Sequence, residues 1–591
     1  MATDTQTPVL AARGGSFLIE ERRLEEVFTP EDFTEEQRMI GDTAAEFMEK
    51  EMVPRLPEIL ALKYEATRDL FRKAGELGLL GVEIPEAYGG LGLDKVSGCL
   101  VSEKSARDGS FAVSFMGHCG IGTLPVVYFG TEEQKKKYLP RFASGEWVSS
   151  YSLSEASSAS DAMNAKAKAV LSPDGKSWIL NGEKMWLTNA GFADVYITFA
   201  KVDGEHFTAF IIDKGSPGVG LGAEEKKTGI KGSSTRPLIL SDAVIPKENL
   251  LGDIGKGHKI AFNILNIGRF KLGAGCTGGA KGALATAVGY GKGRTAFGHP
   301  ITDFGLVKHK LGEMAIRAYV GETILYRTLG MIDDALAQVD KDDPGQMLRV
   351  LEQYAIECSI IKIWETEALA YVVDEEVQVF GGYGYSRDYP AERAYRDARI
   401  ARIYEGTNEI NRIVIATQLL RRAGAGELPL FEAGRRILAA GHLPKTAQAT
   451  RIDPAFADEL KMVAGAKAMT LASIERIRAA YGDGARDEQE SLGLIAEMVM
   501  DVYAMESSLL RTLDLMQKRG AESCPVQQDI TRVFVRDAAL RVERAAKGVE
   551  AETSGTGATR IDGLAHRAPM KAIAARRRIA DAFAAAGKYY L

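Results

Sequence analysis

Residues 378–411, QVFGGYGYSRDYPAERAYRDARIARIYEGTNEIN, concentrate the residue types in this chain that could do chemistry. Glu405 follows Ile403-Tyr404 and precedes Gly406-Thr407. An apolar neighbourhood withholds water from a carboxylate and raises its pKa, which suits a base that must take a weakly acidic proton near neutrality. Taken alone, such a glutamate also fits a helix end or an exposed surface. The glycines of Gly381-Gly382-Tyr383-Gly384 sit between two helical patterns, so the backbone there turns tightly or lets another group approach closely.

The elements that must position this stretch follow from periodicity. From Glu35 to about Gly145, apolar residues recur at three and four spacings, the mark of helices. Near Ser149 the texture becomes short, alternating and rich in Ile, Val, Thr and aromatics, with turns at Pro173-Asp174-Gly175 and Asp203-Gly204, which predicts an antiparallel β domain. Long helical patterns return after Gly257, pause at Gly424-Ala425-Gly426-Glu427-Leu428-Pro429, and resume to the end. In the last run, Ile495, Met498, Val502, Met505, Leu509, Leu513 and Met516 fall on one helix face. The expected fold class is mainly α with a central antiparallel β domain. Its expected parts are an N-terminal extension (1–34), a helical domain (35–148), the β domain (149–262), a helical bundle carrying Glu405 (263–424) and an appended helical domain (430–591).

Bulk properties exclude several classes. A chain of 591 residues needs more than one core. A net charge of −6 disfavours general nucleic-acid binding. Five cysteines without a CxxC pair and seven histidines without HExxH point to a reducing compartment and no metal. The opening residues lack a signal-like apolar core, and we find no apolar stretch of the roughly 20 residues that span a bilayer. The cytoplasm is the expected location. Arg435, Arg436, Lys445 and Arg451 flank apolar helical stretches, an arrangement that suits a peripheral membrane contact as well as a solvated helix.

The stretch with Glu405 resembles the C-terminal hallmark of the acyl-CoA dehydrogenase flavoproteins: Gln378-x-x-Gly-Gly-x-Gly-Tyr, then Pro390-x-Glu-Arg-x-x-Arg-Asp, then Ile403-Tyr-Glu-Gly-Thr. Tyr151-Ser-Leu153-Ser154-Glu155 with Ser160-Asp161, Met185-Trp186-Leu-Thr188-Asn189, and Arg294 with Phe297-Gly298 resemble three further family segments. The appended domain is similar to that of the very-long-chain branch. The resemblance implies FAD as cofactor and Glu405 as the base that starts α,β-dehydrogenation of a medium to very long fatty acyl-CoA in β-oxidation. It implies FAD contacts from Tyr151, Leu153, Ser154, Ser160, Trp186, Thr188, Thr407 and Glu409. It further implies that Arg294, Phe297, Gln378 and Gly382 reach the FAD of a neighbouring subunit in a homodimer. Ser160, Arg269, Tyr404, Gly406 and Gly122 are the implied substrate contacts, and an electron-transferring flavoprotein is the implied acceptor. An acyl-CoA oxidase, and a non-catalytic assembly module on the same fold, are the rival readings.

Departures and plainer readings stand beside this. Residues 154–161 replace a proline and two glycines of the family pattern, so a left-handed backbone there would be strained. Asn189-Ala190-Gly191 likewise replaces a frequent glycine. Gly122 is accompanied by Pro125 where the long-chain branch has a second glycine, which predicts a shorter acyl tunnel. Gly273-x-Gly275-x-x-Gly278 matches a dinucleotide motif but follows a helical pattern, so helix packing is expected. His118 reads as structural, and Arg393, Arg396, Asp397 and Arg399 read mostly as a surface charge network.

Overall fold

The computed structural model describes residues 13–340, 343–443, 454–553 and 561–591. Helices beginning with Glu35–Phe47 and ending with Glu132–Ala143 precede the sheet. Thr34 and Thr131 start those two with reciprocal capping boxes, their hydroxyls accepting from Gln37 and Gln134 N–H.

The β region contains β1 (Ser149–Ser152), β2 (Lys168–Leu171), β3 (Ser177–Thr188), β4 (Val195–Val202), β5 (His206–Asp213), β6 (Val219–Leu221), β7 (Thr235–Pro246) and β8 (Leu250–Leu251). They pair in the order β6-β7-β3-β2-β4-β5-β8, with β1 joined to β4 off this path. Most pairings are antiparallel, as expected. However, β1–β4 and β2–β4 are parallel. The long strand β3 pairs with β7 but shifts register between Lys184 and Leu187, which turns Trp186 outward.

Helix Gly257–Gly293 then rises about 55 Å and is the spine of the molecule. Gly305–Leu336 and Ala355–Phe380 pack along it, and Asn408–Gly424 closes the bundle. The appended helices Leu430–Ala440, Ala457–Tyr481, Gln489–Arg519, Pro525–Glu552 and Ala572–Ala586 share one apolar core with the bundle. Ile495, Met498, Val502, Met505, Leu509, Leu513 and Met516 are all buried there.

Two expectations need correction. The run Gly109–Phe129, 21 residues, is long and apolar enough by composition to cross a membrane, but 67% of its most apolar window is buried inside the protein. It is broken by a wide turn at His118–Gly122 and serves as core. Asp397 does not belong to a surface network: it is buried and accepts from the Ile230 N–H, whereas Arg396 pairs with Glu392 at the surface. In the appended domain, Arg435 and Arg436 face Glu475 and Glu432, and Lys445 and Arg451 lie outside the described residues.

Candidate active site

Glu405 sits on the short link between the turn Arg399–Arg402 and helix Asn408–Gly424. Its φ is 56°, and Gly406 follows at 78°. A left-handed non-glycine residue costs about 1–3 kcal/mol, so the surroundings must hold it there. Asn411 supplies that hold: its Nδ2 donates to the carbonyls of Gly406 (2.9 Å) and Thr407 (3.0 Å), with a longer contact to Glu405 O (3.4 Å). Thr407 caps the helix by accepting from Ile410 N–H at 3.2 Å. Lys362 anchors the same helix start from below, donating to Asn408 Oδ1 at 2.6 Å.

The strained turn drives the Glu405 side chain against the spine at Gly268. A methyl group at Gly268 would overlap the carboxylate and lie 3.2 Å from Ile121. The residue is partly accessible, yet its Oε2 is buried and accepts no hydrogen bond. Burial pushes the carboxyl up to about 7, while Arg269 and Lys362 pull it part of the way back. Arg269 is 8% exposed and bonds Asn266 Oδ1 (2.9 Å) and Ser359 Oγ (3.3 Å), leaving its Nε without a partner. The site therefore presents a half-buried carboxyl, poised near neutrality, beside a guanidinium with a donor to spare.

The β region forms a facing wall. Tyr151 packs edge-on to Phe199, and its buried hydroxyl has no hydrogen-bond partner. Burial and, to a lesser degree, the charge of Glu405 hold that hydroxyl well above its usual pKa. Trp186 keeps φ 65° and is 54% exposed, an unusual display for an indole on a strand. Thr188 lies close to the helix Gly109–Gly117, 3.4 Å from where a Gly117 Cβ would stand.

Residues 154–161 do not carry the strain expected of them, since none of them has a positive φ. Glu155 and Ser158 form a tight bridge, and the Glu155 carboxylate accepts from Lys166 N (2.6 Å), Ala167 N (3.1 Å) and the fully buried Lys184 (2.7 Å). Leu153 and Ser154 are tied to β3 through Lys184 Nζ (3.1 Å) and Met185 N (2.9 Å), while Ser160 is exposed. Asn189 takes φ 70° and holds it with a bond to Ser114 O at 2.9 Å, doing what a glycine would do with conformational freedom alone.

The remaining residues divide by distance. Arg294 ends the spine and Phe297 tips the hairpin Thr295–Pro300, 94% exposed at φ 52°. Arg294 lies over Tyr383, which places it with exposed Gln378 and Gly382 on one surface. At 1.5 Å per residue, that surface is about 39 Å along the spine from Gly268. Thr407 and Tyr404 flank Glu405, and Glu409 points to solvent one turn on. A methyl at Gly122 would strike Ser149 and Gly117 O, so the glycine lets β1 approach. Gly273 and Gly278 abut Ile361 and Glu103 within the spine, so the dinucleotide-like motif is helix packing. His118 accepts Ser149 N–H at Nδ1 (3.1 Å) and faces Phe142 O through Nε2 (3.0 Å), and burial lowers its pKa to about 4.

Gly268, Asn411 and Lys362 escaped the reading of the sequence. The first adjoins Arg269 and the second ends the motif that holds Glu405, but only their contacts reveal what they do.

Comparison with known proteins agrees with this arrangement. Acyl-CoA dehydrogenase N-terminal, middle and C-terminal domains match residues 34–146, 150–243 and 255–420, and a further acyl-CoA dehydrogenase C-terminal domain matches 465–561. A probable acyl-CoA dehydrogenase of Bacillus subtilis is 47% identical over 538 residues, 90% of each chain. The human very long-chain specific acyl-CoA dehydrogenase is 33% identical over 507 residues, 81% of this chain and 75% of that one. A crystal structure of an acyl-CoA dehydrogenase complexed with FAD from Bacillus anthracis superposes with a TM-score of 0.96 at 44% identity, covering 98% of this chain and all of the other. With its four domains matched in order and its carboxyl enclosed where the hallmark motif meets the spine, the chain belongs to the acyl-CoA dehydrogenase family of oxidoreductases.

Proposed function

We propose that this chain converts a medium to very long fatty acyl-CoA to the trans-2-enoyl-CoA, with Glu405 taking the α proton and FAD as resident cofactor. The observation that carries the reading is the Glu405 carboxyl, enclosed against Gly268 without a hydrogen-bond partner. A carboxylate with one oxygen buried and unpartnered, lifted to about 7, can accept a proton from a thioester α carbon at neutral pH. The Glu405 N–H, which donates to no backbone carbonyl among the described residues, is free to bond the thioester oxygen and stabilise charge developing there. Arg269 holds countercharge at the base without quenching it through an ion pair.

The residues present fit FAD. Trp186 offers an open indole face, Thr188 and Ser154 offer hydroxyls on the same wall, and the buried Tyr151 hydroxyl waits without a partner. When bound, FAD supplies the hydride acceptor. Trp186 and Tyr151 would enclose it and keep water from Glu405. Arg294, Phe297, Gln378 and Gly382 are too distant to share that cofactor, which supports a homodimer in which they clasp the partner's nucleotide. An electron-transferring flavoprotein is the acceptor that family membership favours.

Anaerobic titration tests this. Wild-type protein should be yellow and bleach on adding a long acyl-CoA. Glu405→Gln should stay yellow and bleach at least about 10³-fold more slowly. Normal bleaching in that variant would remove Glu405 from the mechanism.

A further inference from the structure

The spine face that bears Gly268 continues through Leu272, Cys276, Gly279 and Ala283 to Thr286, and from Leu272 onward it lines a cavity of about 930 Å³, open mouth included. Tyr404, next to the base, lines the near end. At about 1.5 Å per residue, Gly268 and Thr286 stand about 27 Å apart, a span for a long acyl chain.

Helix Ala355–Phe380 runs beside the spine in the same direction: Ile361 faces Gly273, Leu369 faces Gly279 and Val379 faces Gly291. Glu376 therefore reaches the cavity level with Thr286, at the end remote from the base. Glu376 is 1% exposed, and its Oε2 accepts no hydrogen bond. Burial alone pushes its carboxyl up to about 8, so it is protonated at neutral pH and can both donate and accept. Beside it, a methyl on Gly282 would meet open space, and the Thr286 hydroxyl donates to Gly282 O at 3.0 Å with its lone pairs left over.

An unpaired buried carboxyl in that cavity is costly, and a plain alkyl tail does nothing to relieve it. A terminal hydroxyl would. A terminal carboxylate would not, because the guanidinium groups at the cavity rim are already paired, Arg393 with Asp108 (3.4 Å) and Arg107 with Glu49 (2.5 Å). We propose that this chain takes long acyl-CoAs carrying a hydroxyl at or near the ω end, and that Glu376 and Thr286 bind that hydroxyl. The inference rests on the proposed function and deepens it.

The test measures kcat/KM of the FAD-loaded protein on three acyl-CoAs of equal length: plain, ω-hydroxy and ω-carboxy. We expect the ω-hydroxy substrate to be favoured over the plain one by about 10-fold, and the ω-carboxy one to be the poorest. Glu376→Leu should erase the preference while sparing or improving the plain substrate, and Glu376→Gln should largely keep it. Wild-type protein that turns over the plain chain with no hydroxyl preference overturns the inference and leaves the proposed function intact. Wild-type protein inert toward all three overturns both.

Discussion

The molecule buries carboxylates in two regions and treats them in opposite ways. At the seam with the appended domain, Arg511 is wholly buried and donates to Glu31 (2.7 Å) and Glu322 (2.9 Å). Glu322 also pairs with Lys281, which reaches Glu103 at 2.8 Å, and Tyr326 and Tyr589 donate to Glu103 and Glu322. Burial alone would raise Glu103, but Lys281 and its other partners hold it down at about 2. Glu405 is also enclosed, has no such partners, and stands at about 7. Burial is common to both; what differs is whether cations and donors have been brought in to meet the charge. The seam is thereby committed to the charged state, and the candidate site is left free to change state.

Breaking the seam should have the largest effect. Arg511→Leu strands Glu31, takes one of three partners from Glu322, and should cost about 3–5 kcal/mol in urea-induced unfolding. A loss below about 1 kcal/mol would mean the network is not the fastener. Gly268→Ala addresses the other region: a methyl there displaces the carboxylate, and turnover should fall about 10²-fold with a normal far-UV spectrum. Retained turnover would show that the carboxylate reaches its target by another path.

The smallest effect sharpens the contrast in sign. Glu103, whose pKa is depressed in the fold, contributes stability present above about 4.5 and lost as pH falls toward about 2. Glu405, whose pKa is raised, favours the fold below about 4.5 and loses that contribution as pH rises through about 7. Turnover should therefore rise through about pH 7 as the base ionises. Glu405→Gln should gain about 1–3 kcal/mol relative to wild type between pH 5 and pH 9. Equal stability gaps at both pH values would indicate that solvent reaches the carboxyl.

Much of the site was legible because its motif is compact: Ile403 through Thr407 carry base, strain and cap within one turn. The order helical, β, helical also followed from periodicity, which reports which face of an element is apolar. Periodicity does not report the partner, and this explains the misses. Gly268 and Glu405 are 137 positions apart, and nothing local to either announces that one makes room for the other. The parallel pairings of β1 and β2 with β4 depend on where strands enter the sheet. At 154–161 the lost proline and glycines are visible in the sequence, whereas the Glu155–Lys184 bridge that ties this loop to β3 joins residues 29 positions apart.

The spine has one more consequence. It carries Gly268 near one end and Arg294 at the other, so in the proposed dimer each subunit lends its own base to one catalytic centre and its clasp to the other. A subunit with Glu405→Gln and a subunit with Arg294→Ala, each impaired as a pure dimer, would therefore complement when mixed. The hybrid concentrates both defects in one centre and restores the other intact, so refolding the two inactive proteins together should recover activity that neither has alone.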